Sequence, residues 1–161
     1  VLEAWKDFFV ATAGAGGALA GLIIVAMTVN IKEIIAIPSM PSRAATTIGS
    51  LVLIVVTAAA GLIPEQPSWV FGAWVLLFSL GELGLTIDSG VRMLRVSEPG
   101  SPGPAWLKFA IALVQVVPFV AGAALLFLGA GFGVQPMAAG ILLVFVGSVA
   151  NAWVLLVEIL R

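Results

Sequence analysis

The apolar positions of this chain fall into five long runs, and proline marks the breaks between them. Pro38, Pro41, Pro64, Pro67, Pro99, Pro102, Pro104 and Pro136 lie between runs, and Pro118 alone falls inside one. The runs cover about residues 8–31, 44–63, 69–91, 105–130 and 137–160, each close to the roughly 20 residues that cross a bilayer. Only helices and closed barrels satisfy every backbone group in lipid, and barrel strands would alternate over about ten residues. These runs are longer and unbroken. They predict an all-α polytopic membrane protein, a single domain over residues 1–161 built as a bundle of five transmembrane helices. The first run is expected to continue as an interfacial turn to Ile37. The longest connection, VSEPGSPGP at 96–104, reads as a flexible or polyproline-like loop and is too short to be a soluble domain. No internal repeat is visible, and an odd number of spans argues against two equal inverted halves.

Composition sharpens this picture. Hydrophobic residues make up 61% of the 161 residues and charged residues 9%, with a mean hydropathy of +1.21. A soluble domain carries roughly 25% charge, so most of this surface is expected to face lipid. Orientation follows from the basic residues. Lys32, Arg43, Arg92, Arg95, Lys108 and Arg161 fall on one side of the predicted membrane and only Lys6 on the other. By the positive-inside rule the N-terminus is outside and the C-terminus cytoplasmic. Trp5 and Trp69 then sit near the outer interface and Trp106 near the inner one. The first run is preceded by Glu3, Lys6 and Asp7 and is too long for the apolar core of a signal peptide, so it reads as a membrane span.

The absences bound the chemistry. A net charge of −1 with no basic patch argues against a nucleic-acid partner. The chain has no cysteine, which removes disulfides, thiolate metal sites and thiol nucleophiles. It has no histidine, which removes the commonest metal ligand and general base. No metal site, no cofactor and no enzyme activity are expected. Glu82 and Asp88 lie six apart, roughly 120° from each other around a helix, so they do not form a shared-proton pair.

Polar residues inside the spans carry the candidate chemistry. Glu82 lies 13 residues after Trp69, roughly 20 Å down its helix and near the midplane of a ~30 Å core. Ser79, Glu82, Thr86 and Ser89 share one face at spacings of 3, 4 and 3, and Ser148, Asn151, Leu155 and Glu158 repeat that spacing in the last run. Asn151 lies roughly 21 Å from the outer surface and Gln115 roughly 15 Å from the inner one, so both are expected to meet Glu82 in one buried polar cluster. Such a carboxylate is either a proton or cation site or a protonated group that joins helices. Asp88 and Arg92 are spaced as a surface ion pair. Ala13, Gly17 and Gly21 form a small-residue stripe in the first run, Gly81 and Gly84 a small face in the third, and Gly140 and Gly147 one in the fifth. These faces predict close helix packing within the subunit or a homo-oligomer seam. Pro118 is expected to kink the fourth helix beside Gln115.

The stretch WKDFFVATAGAGGALAGLIIVAMTVNI, followed by PSRAATTIGSLVL and LIPEQP, resembles a family of small bacterial membrane proteins common in actinobacteria. Trp5, Asp7, Phe8, Phe9, Gly21, Leu22, Val25, Ala26, Asn30, Arg43, Ala44 and Pro64 carry the resemblance, over roughly the first 70 residues. It implies a bacterial inner (plasma) membrane protein, and some such proteins bear the label of modulators of a membrane-bound AAA protease. PSWVFGAWVLL, Pro67 to Leu77, is similar to a stretch of the tryptophan-rich sensory protein (translocator protein) family, which also has five helices. There the stretch opens the second helix and here the third. The chain also has no tyrosine, so no porphyrin or sterol site is carried over.

Three functions remain. One is a channel or transporter with Glu82 as its proton or cation site, flanked by Ser79, Thr86, Gln115 and Asn151. Another is a regulatory or scaffolding subunit that binds a membrane protein partner through its glycine faces. The third is a binder of lipid or a hydrophobic ligand in a cavity beside Pro118.

Overall fold

A computed structural model describes residues 2–36, 40–95 and 104–159, with the backbone alone for 154–159. Parts of the sequence reading lie outside the described residues: 37–39, the 96–103 part of the long connection, Arg161, and the side chains of Leu155 and Glu158. A 3-10 turn at Leu2–Trp5 leads into α1 (Lys6–Val29) and a short α2 (Ile31–Ala36). Then come α3 (Met40–Gly61), α4 (Ser68–Arg95), α5 (Ala105–Phe127) and α6 (Val134–Ile159). Among the described residues there is no strand. Five helices among the described residues are long and apolar enough to cross a membrane, the architecture of a multi-pass membrane protein.

The boundaries differ from the expected runs for local reasons. α3 begins at Met40 and α6 at Val134, ahead of 44 and 137, because Pro41 and Pro136 sit in first turns. A proline there removes only an N–H that would have no helical partner. α4 continues past 91 to Arg95, and α3 ends at Gly61 rather than 63. There Gln66 Nε2 donates to the Ala60 carbonyl, one of the acceptors a helix end leaves over. α5 stops at Phe127, short of 130. Gly129 takes a positive φ of 83°, and the Ala130 N–H reaches back to the Leu125 carbonyl at 2.8 Å, which closes the helix. The interfacial turn expected after the first span is α2.

α3, α4, α5 and α6 form a ring in which each packs on the next and α6 returns to α3. α1 lies outside this ring along α3. Its buried face is Phe9, Thr12, Gly16, Ile23 and Met27. α3 is the hub, with Leu51, Leu53, Ile54 and Ala58 all at most 2% exposed. The core continues through Phe71, Phe119, Leu126, Met137 and Ile141. Antiparallel neighbours place Arg43, Arg95 and Lys108 at one end of the ring, called here the basic end. The opposite end holds Phe9, Gly61 and Phe71. There the Phe9 and Phe71 ring centroids are 5.7 Å apart, and Phe9 lies directly over Gly61.

Candidate functional site

α4 turns Ser79, Glu82, Thr86 and Ser89 toward α3, and all four are buried. Glu82 is 4% exposed. The Ser50 hydroxyl of α3 donates to Glu82 Oε1 at 2.8 Å. Glu82 Oε2 lies against Gly49, where any Cβ would collide with it. The glycine therefore makes room for a carboxylate between two helices. Ser79 Oγ donates to the Leu76 carbonyl of its own helix at 3.1 Å. Thr57, one face along α3 from Ser50, is fully buried, and its hydroxyl has no hydrogen-bond partner.

One turn toward the basic end, a second polar group joins α3 to α6. Asn151 Nδ2 donates to Thr47 Oγ1 at 2.8 Å, and the Thr47 hydroxyl donates to the Arg43 carbonyl at 2.9 Å. Arg43 Nη2 donates to Asn151 Oδ1 at 3.3 Å, so the three residues close a loop of hydrogen bonds. Gln115 of α5 packs its amide onto Gly147 of α6.

On the basic-end side of Glu82 lies a cavity of about 390 Å³. All four ring helices line it: Arg43, Thr46, Thr47 and Ser50 from α3, Thr86, Ser89 and Gly90 from α4, Lys108, Phe109 and Gln115 from α5, and Gly147, Ser148 and Asn151 from α6. Two cations, two amides and several hydroxyls line it together with Met93, Ile111, Ala112 and Ala150, so that most of its wall is apolar and its polar groups are few. Phe109 lies over Gly90 and forms part of its wall.

The expected meeting of Glu82, Gln115 and Asn151 is corrected. Gln115 and Asn151 share the cavity, whereas Glu82 stands behind Ser50 and bonds only to it. Asn151 meets Thr47, three residues from Ser50 and so roughly 4.5 Å nearer the basic end. Thr86 lines the cavity as the expected face requires, while Ser79 lies on the far side of Glu82. The residues missed were Thr47 and Ser50. Arg43, Thr47, Ser50 and Thr57 recur at spacings of 4, 3 and 7, which marks one polar helical face.

The small-residue faces divide. Gly140 receives the Phe119 ring and Gly147 the Gln115 amide, both within the subunit. Gly14, Gly17 and Gly21, like Gly81 and Gly84, have nothing within 4 Å, so the expectation that they pack inside the subunit is corrected. The glycine by which α1 packs is Gly16, against Ile54 and Val55. It lies one residue, or about 100°, from Gly17 around the helix. Asp88 and Arg92 do pair at 2.8 Å on the exposed face of α4. Pro118 sits within an unbroken α5.

No family model, no curated protein and no solved structure matches the chain.

Proposed function

We propose that this chain is a small transport protein, a channel or transporter, in which Glu82 is the proton or cation site. The observation that carries the reading is a carboxylate 4% exposed, bonded to a hydroxyl that itself lines the cavity. A charge held in a bilayer is costly, and ionisable groups kept there mark ion or proton paths. Gly49 supports the reading, because a side chain there would exclude the carboxylate. With the basic end in the cytoplasm of a bacterial plasma membrane, as the positive-inside rule assigns it, the cavity lies between Glu82 and the cell interior. Catalysis has no part in this reading.

The test is ion flux in proteoliposomes across pH, wild type against Glu82→Gln. A pH-dependent flux that disappears in the variant supports the reading. Equal flux in both proteins removes Glu82 from it, and absence of flux in both overturns it.

A second reading has its own observation. Gly14, Gly17 and Gly21 leave one face of α1 open for close approach of another helix, from a second copy or a membrane protein partner. This would make the chain a scaffolding or regulatory subunit. A co-purifying partner lost on Gly17→Leu would support it, and repeated purification of this chain alone would count against it.

A further inference from the structure

A carboxylate that carries a metal ion must share it with other oxygens. Calcium takes six to eight and magnesium six, at roughly 2.0 to 2.6 Å. An alkali ion likewise needs its hydration shell replaced by several oxygens. Among the described residues the hydrogen bond to Glu82 comes from Ser50 Oγ, while Oε2 faces Gly49. Among the described residues no three carboxylates converge anywhere. A proton asks for far less: one lone pair to receive it and one hydroxyl to hand it on.

That hydroxyl has two neighbours. Ser50 lines the cavity and also bonds Glu82, so it is the link between them. On the other side of Glu82 the surroundings change. Val75, Phe71, Phe9, Leu53 and Ile54 are each at most 2% exposed, and Phe71 and Phe9 are in ring contact. Ser79, the nearest hydroxyl on that side of α4, is turned back to its own helix.

We propose that Glu82 exchanges a proton and not a metal ion, and that it does so with the basic-end cavity through the Ser50 hydroxyl, the Phe9–Phe71 side being closed to water. A hydronium in the cavity gives a proton to Ser50 Oγ as the Ser50 hydroxyl proton passes to Glu82 Oε1. Water remains in the cavity, Ser50 is regenerated, and the carboxylate becomes a carboxylic acid. The helices packed on α4 are α3 and α5. They bring Arg43 and Lys108 to the cavity, and Arg43 lies two turns from Ser50. On α4 itself Asp88 is held by Arg92 on the exposed face, and Arg95 ends the helix. α6 carries no charged group among its described side chains, and Lys6 and Asp7 of α1 lie at the opposite end. The proposal rests on the reading of Glu82 as an exchange site, but its test does not need flux.

Infrared difference spectroscopy on the full chain in lipid vesicles reads the carboxylic-acid band of Glu82, assigned by its loss in Glu82→Gln. The band is expected to grow as pH falls and to ignore added sodium, potassium or calcium at fixed pH. A band that fades on adding one of these ions, or one that ignores pH, overturns the proposal. The chain lacks cysteine, so single-cysteine variants locate the entry side directly. Thr47→Cys and Ser89→Cys are expected to react with a membrane-impermeant thiol reagent from the basic end alone. Val75→Cys, and Leu53→Cys should the first fail to fold, leave the Phe9–Phe71 contact in place and are expected to stay unlabelled from both sides. Labelling of Val75→Cys from the opposite end, or of Thr47→Cys from neither, overturns the one-sided route. A protein that passes both tests and carries no ion would sink the transport reading alone.

Discussion

The two ends of the four-helix ring use the same device for opposite purposes. At the Phe9 end, glycines bring backbones and rings together until no space remains. Gly72 would place a Cβ 3.0 Å from the Ala123 carbonyl oxygen, Gly122 faces the Gly133 carbonyl, and Gly61 receives Phe9. At the basic end, glycines make room for side chains that line an opening: Gly90 for Phe109 and Gly147 for Gln115. Gly49, between the two ends, holds the Glu82 carboxylate. In lipid, apolar surface gives little drive for helices to associate, so close packing and interhelical hydrogen bonds must do it. One end relies on the first and the other on the second.

The contrast can be broken by substitution. Phe71→Ala should have the largest effect, destabilising the bundle by about 3–5 kcal/mol through loss of a fully buried ring. Thermal unfolding in detergent checks it, and the same variant should admit water at the sealed end. Gly49→Ala should cost about 1–3 kcal/mol, because the new methyl displaces Glu82. Adding Glu82→Ala should recover much of that loss, and a double-mutant cycle showing strict additivity would disprove the contact. Asn151→Ala should cost about 1–2 kcal/mol through the two hydrogen bonds that tie α6 to α3. Gly17→Leu should leave the stability of the isolated subunit nearly unchanged, since nothing lies within 4 Å. A large loss of stability there would show that α1 packs by the Gly17 face rather than the Gly16 face.

Much of the fold is legible in the sequence because the bilayer sets the length of every span and proline marks most of the breaks. The buried face of α4 is legible too, because Ser79, Glu82, Thr86 and Ser89 are polar in an otherwise apolar helix. What stands across from Glu82 is not. Depth counted along each helix says which groups share a level but not which helices are neighbours, so it points to Gln115 and Asn151 beside Glu82 where the structure has Ser50. The packing face of α1 is hidden for a related reason. Lipid is as apolar as a packed neighbour, so an apolar helix gives no sign of which side it buries. Gly16 and Gly17 are indistinguishable by composition, yet one meets Ile54 and Val55 and the other meets nothing.

The place of α1 outside the ring bears on how the molecule is made. It leaves the ribosome before the four ring helices, and the aromatic partner of Phe9, Phe71, follows only after α3 and the start of α4. Only 22% of the apolar window of α1 is covered in the finished bundle, against 56% for α3. A helix so little dependent on its neighbours can wait in the bilayer as an independent span. Phe9 then meets Phe71 late, so the aromatic contact at this end of the bundle is completed by a segment made before the ring that receives it.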